Sequence, residues 1–149
     1  MAISRGAGTE IIRSAWFEDI DDTSTILIYG VQHHIYTVLS VIIKCNSLQA
    51  VDDKMHLVMT GYDAKAGTTG QDHYLMGRVI PADETFVWND KFSFNGHEPT
   101  DFTGPMDDAT KQDAIADQAS GVAQTLRAFS SDASDDFEIG ITYIDQNNA

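Results

Sequence analysis

The chain has 149 residues, 42% of them hydrophobic and 21% charged, with a single cysteine. A length of this order supports one core and disfavours two self-sufficient domains, because a shorter chain removes a smaller fraction of its surface from water. With 23 acidic against 9 basic residues and a formal charge of -14, the chain repels phosphate backbones and anionic lipid, so direct nucleic-acid binding is not expected.

Residues 1–10 hold Gly6 and Gly8 and few charges, and they read as a flexible N-terminal arm able to order on a partner. They lack a basic patch followed by an apolar run, and no stretch of the chain approaches roughly 18 uninterrupted apolar residues, so neither a secretory signal nor a membrane span is expected. Short apolar segments at 11–17 and 24–29 follow, bounded by aspartates, and read as strands. The strongest alternation is at 35–45, where Ile35, Leu39, Val41, Ile43 and Cys45 share one parity and form the predicted core face. The opposite parity begins at Tyr36 and is mixed enough to suggest a contact between subunits. A strand at 55–60 is predicted next, with Leu57 in the core, and antiparallel pairing with the preceding strand is the economical arrangement.

Segments 73–80, 84–88 and 91–94 read as further strands, with Asn89-Asp90 as a tight turn making a hairpin of the last two. Phe86, Trp88, Phe92 and Phe94 flank that turn and either pack inward or present anchors to a partner; Trp16 and Phe17 carry the same two readings. Residues 107–120 read as a surface insertion, helical on balance, since acids crowd its start where the helix dipole favours them. Segment 125–129 is a modest strand. The last strand, 137–144, places Phe137, Ile139, Ile141 and Tyr143 on one face. The result is an all-β chain of about eight or nine strands: an antiparallel β-sandwich or jelly roll spanning 11–145, with one short helical or loop insertion and a C-terminal tail at 146–149.

The chain contains no GxxxxGK[ST] loop, GxSxG elbow, HExxH pair or GxGxxG run. Neighbouring His33-His34 side chains on a strand point to opposite faces, and His56, His73 and His97 assemble a zinc centre only in a favourable register. Asp132, Asp135 and Asp136 form an acidic turn that is a weak calcium candidate, because the spaced oxygens and glycine bend of a calcium loop are missing. Cys45 has a strand-core setting instead of one that favours thiolate. No catalytic residue, metal or cofactor is therefore expected. The chain reads as a non-enzyme, with an unrecognised hydrolase as the remaining catalytic alternative.

Three stretches carry a family likeness: Ile35-Tyr36-Thr37-Val38, Ser40-Val41-Ile42-Ile43-Lys44-Cys45-Asn46, and Val79-Ile80-Pro81-Ala82-Asp83-Glu84-Thr85. The pattern resembles small β-sandwich or jelly-roll virion structural proteins of tailed bacteriophages, of the head-decoration or tail and adaptor type. Leu39 stands where that pattern has a proline-glycine turn, and Asp83 where it has glycine. The resemblance implies a noncatalytic virion protein, foremost a capsid decoration subunit held by intersubunit contacts, with a tail or head–tail adaptor component as the alternative. The implied partners are other copies, with a trimer among the options, and other virion proteins such as the major capsid protein. The interface candidates are Ile3, Arg5, Trp16, Phe17, Tyr36, Phe86, Trp88, Phe92 and Phe94. The rival from another class is a glycan-binding sandwich using Trp16, Trp88 and loop carboxylates.

Overall fold

The computed structural model describes residues 9–63, 68–97 and 122–147. The strands are β1 (Thr9–Ile20), β2 (Thr25–Tyr29), β3 (His34–Ser47), β4 (Met55–Asp63), β5 (Thr68–Arg78), β6 (Thr85–Trp88), β7 (Phe92–Asn95), β8 (Thr125–Phe129) and β9 (Asp136–Asn147). Five form one sheet in the order β1-β9-β3-β6, with β7 also on β3, and four form the other in the order β2-β8-β4-β5. Every pairing is antiparallel. The chain changes sheet between β1 and β2, β2 and β3, β3 and β4, β5 and β6, β7 and β8, and again between β8 and β9. That alternation is the connectivity of a jelly roll. No helix occurs among the described residues. The expected surface insertion at 107–120 and the first eight residues of the expected arm lie outside them; Thr9 and Glu10 belong to β1.

The two inner faces close on one cluster that includes Leu27, Val41, Ile43, Cys45, Leu57, Leu126, Phe137, Ile139 and Ile141, all buried. Tyr143 is half-buried against it. The alternation of β9 accounts for its share of the core: Phe137, Ile139 and Ile141 point in, while Glu138, Gly140 and Thr142 lie on the other side.

The predicted parity of β3 holds only from Val41 onward. Between Val38 and Ser40 the register against β9 shifts, so Leu39 is an extra residue in β3. A one-residue insertion reverses which side chains face the core. Tyr36 and Val38 therefore point inward, at 3% and 0% exposure, whereas Ile35 is 37% exposed and Leu39 only half-buried. This corrects Ile35 as a core residue and Tyr36 as an interface residue. Tyr36 lies among Phe94, Tyr143 and His34, and its hydroxyl accepts a hydrogen bond from the Val31 amide at 3.1 Å. Burial pushes the phenol up to about 12, so it stays protonated.

The hairpin expected around Asn89-Asp90 is also corrected. β6 pairs with Val41 to Lys44 and β7 with Ile35 to Val38, both antiparallel to β3. They are two pieces of one edge strand, broken opposite the Leu39 bulge. β4, in turn, pairs with β5 and β8 and not with β3, because the chain crosses to the other sheet at the polar loop after Ser47.

One polar cluster centred on a buried carboxylate joins β1, β9 and β3, which are neighbours in the five-stranded sheet. Asp145, 7% exposed, accepts from Arg13 Nε at 2.9 Å and meets His34 Nδ1 at 2.5 Å. Asp145→Asn keeps the shape but removes the charge, and removing one partner of a buried pair is costly. The expected loss is about 2–3 kcal/mol in urea denaturation, less than for a fully enclosed pair because Arg13 can turn to water.

The turn into β6 tests a second local feature. Asp83 has φ of 67°, in the left-handed region where side chains other than glycine are disfavoured. Its amide donates to the Cys45 carbonyl at 2.8 Å, and the Glu84 amide closes on Pro81 at 3.0 Å. Asp83→Gly is expected to change stability by no more than about 0.5 kcal/mol, since relief of strain and added unfolded-state freedom oppose each other. Asp83→Val is expected to cost about 1–2 kcal/mol, as read from urea midpoints.

Candidate interaction surface

The outer face of the five-stranded sheet is built from cross-strand rows fixed by register. Trp16 of β1, Gly140 of β9, Ile42 of β3 and Val87 of β6 form one row. Ser14, Thr142 and Ser40 form the next, and Ile12, Ile144, Thr37 and Ser93 the one beyond. Ser14 and Thr142 hydroxyls are 3.2 Å apart and those of Thr37 and Ser93 2.9 Å. None of these side chains is charged. Trp16 is 71% exposed, Ile12 69% and Val87 48%.

The indole position follows from its neighbour. Trp16 pairs with Gly140, and a Cβ added to that glycine would sit 2.1 Å from Trp16 Cζ3. The missing side chain lets the ring lie down over β9 and present its other side to solvent. Beside it runs a groove of about 280 Å³, lined by Trp16, Phe17, Glu18, Ile42, Lys44, Thr85, Glu138, Ile139 and Gly140. Lys44 stands opposite Glu138 in the pairing of β3 with β9, and Glu10 shares the outer side of β1 with Ile12, so charges flank the uncharged rows at both ends.

Of the interface candidates read from sequence, Trp16 lies on this face. Ile3 and Arg5 are outside the described residues. Phe17, Phe86, Trp88, Phe92 and Phe94 are half-buried and pack against the core from inside the sandwich. Trp88 and Phe92 rings approach to 6.1 Å, and the Arg78 guanidinium lies 4.3 Å from the Phe86 ring centre. Trp16 and Trp88 therefore occupy opposite faces of the sheet, and no single saccharide site uses both. Ile42 belongs to the mixed parity of β3 that the sequence marks for a contact between subunits, whereas Val87 and Ile12 were missed, since their short segments gave no parity that separates an outer face from an inner one.

The opposite outer face, on the four-stranded sheet, is chemically different. Arg127 donates to Asp72 at 2.8 Å, to Thr60 at 2.8 Å and to Ser24 at 3.0 Å. Next to this network His56 packs against Tyr74 and Phe129, at 5.6 and 5.2 Å between ring centres.

The acidic turn is held by hydrogen bonds within itself and to the end of β3 and the loop that follows. Asp135, 4% exposed, accepts from the amides of Gln49 at 2.8 Å and Asp132 at 3.2 Å. Asp132 accepts from Ser134 at 2.8 Å, and Asp136 from Asn46 at 3.2 Å. Register places His56 opposite Gly77 and His73 opposite Met59. Among the described residues no group of three or more His, Cys, Asp or Glu is placed to hold a metal. Cys45 is buried, and burial with Asp135, Asp136 and Asp83 nearby pushes its thiol up. No helix among the described residues is long and apolar enough to cross a membrane.

No known family model matches the chain, and no curated protein matches it. Among solved structures, a chain from work titled "Bacillus endospore appendages form a novel family of disulfide-linked pili" is similar at 12% identity and a TM-score of 0.47, covering 100% of this chain and 97% of that one. Similarity at that level carries no argument about what this chain does.

Burial, followed by nearby Lys54, lowers the His56 pKa below its ordinary 6.5. The unfolded chain then binds a proton that the folded chain resists, so this group's contribution to stability is lost as pH falls from about 6.5 towards the folded value. His56→Phe fills the same aromatic site without titrating. The urea midpoint of wild type is expected to fall more than that of the variant between pH 7.5 and 5.5, and parallel curves would contradict the assignment.

Proposed function

We propose that this chain is a noncatalytic structural subunit that assembles noncovalently on a tailed-phage particle, with capsid decoration as its foremost placement and a tail or head–tail adaptor position as the alternative. The reading treats residues 11–145 as one sandwich, with an N-terminal arm and an insertion near 107–120 as additional contact elements. The observation that carries it is the band of uncharged rows across the outer face, bearing Trp16, Ile12, Ile42 and Val87, in a chain of net charge -14. A chain so acidic is held apart from its neighbours by its own field, and an uncharged sheet face is where that repulsion is least and apolar burial greatest. The buried Cys45 favours noncovalent assembly. The partners in this reading are other copies and other virion proteins.

Imaging of purified particles tests the placement directly: density for the sandwich on the capsid, tail or adaptor is the expected result. Recovery of the chain only from soluble infected-cell extract would overturn it. In solution, sedimentation of wild type is expected to show an oligomer that persists unchanged in millimolar reductant. A loss of assembly on reduction would contradict the noncovalent reading.

A further inference from the structure

The uncharged face leaves open what covers it, and its relief and charges narrow the choice. We propose that it is covered by the same face of a second copy, related by a two-fold axis that lies between the sheets and runs along the strands. The inference rests on the structural-subunit reading and adds to it the partner and the geometry.

Shape selects the axis. The Trp16 indole forms a ridge over Gly140, and the groove lies beside it towards Ile42 and Thr85. A two-fold contact is isologous, so the same patch must complement itself. An axis along the strands and midway between β9 and β3 exchanges β9 of one copy with β3 of the other, and β1 with β6, placing each indole over its partner's groove. An axis across the strands would set indole against indole and groove against groove.

Charge selects the same axis. Glu138 of β9 and Lys44 of β3 stand side by side at the groove's charged end, flanked by Glu18 and Thr85. That axis sets Glu138 of each copy across from the Lys44 of its partner and Glu18 across from the uncharged Thr85, and it leaves the uncharged rows facing each other. Opposed charges across an interface fix its register and suppress alternatives.

Area is sufficient. Four strands spaced about 4.8 Å apart, and about nine residues rising about 3.4 Å each, give roughly 590 Å² in projection. Side-chain relief raises the accessible area towards the ~800 Å² per partner of a standard interface.

The test uses the full chain and follows mass and Trp16 together. In a Trp88→Phe background, Trp16 emission is expected to move to shorter wavelength over the concentration range in which sedimentation reports a dimer. If that background fails to fold, the difference between wild-type and Trp16→Ser spectra isolates the same signal. Trp16→Ser, at an exposed site, is expected to weaken dimerisation at least tenfold. Lys44→Glu is expected to do so at low salt, and E138K/K44E to recover most of the loss. An oligomer whose Trp16 emission stays unshifted, or a charge exchange that recovers nothing, would overturn this contact and leave the structural-subunit reading standing. A Trp16 shift on adding cellotetraose, with mass unchanged, would assign the groove to saccharide and overturn it as well. A chain that stays monomeric at every concentration yet is imaged on particles would defeat the two-fold contact alone, whereas absence from particles would defeat the reading beneath it.

Discussion

The strict two-residue period of β9 is the constraint on which the five-stranded sheet depends. This strand lies between β1 and β3 and pairs with both over nearly its whole length. Its inner side chains, Phe137, Ile139 and Ile141, are in the core. Its outer side has a glycine where both flanking strands need room. If β9 slipped by one residue, those three large groups would face outward and Gly140 would face the core, so the hydrophobic effect fixes the register firmly. Both the interior and the flat indole on the outside follow from one alternation.

Much of this fold was legible because strands that are half-buried must alternate, and alternation is a property of sequence. The nine segments emerged from that signal, and the jelly-roll class with them. Topology was less accessible. Nothing in the 35–45 or 55–60 segments says that they belong to different sheets, since pairing two neighbouring strands and packing them face to face satisfy the same pattern. The Leu39 bulge was hidden for a related reason: Ile35, Tyr36, Val38 and Leu39 are all apolar, so the residues on either side give no contrast from which a change of phase could be read. Only the partner register reveals it.

The candidate surface was partly legible in the same sense. Trp16 stood out as an aromatic beside acidic residues, but its exposure comes from Gly140, more than a hundred residues later, and that pairing is a tertiary fact. The aromatics around Asn89-Asp90 were ambiguous because a hairpin and a broken edge strand have the same local composition. The structure resolves them by direction: β6 and β7 run the same way along β3, so their large residues share the interior. The acidic turn was ambiguous for a chemical reason, since a carboxylate that caps amides and one that binds a cation look alike until the donors are placed.

The interruption between β6 and β7 has a bearing on how this margin of the sheet resists strand addition. An exposed sheet margin invites another chain to continue the hydrogen-bond ladder, and a long, regular margin is the most dangerous kind. Here each piece is only four residues long, and the kink between them falls where β3 bulges. An incoming strand could match one piece or the other but would lose its phase in crossing from the first to the second. The defect in the ladder therefore protects that flank of the sandwich from open-ended growth.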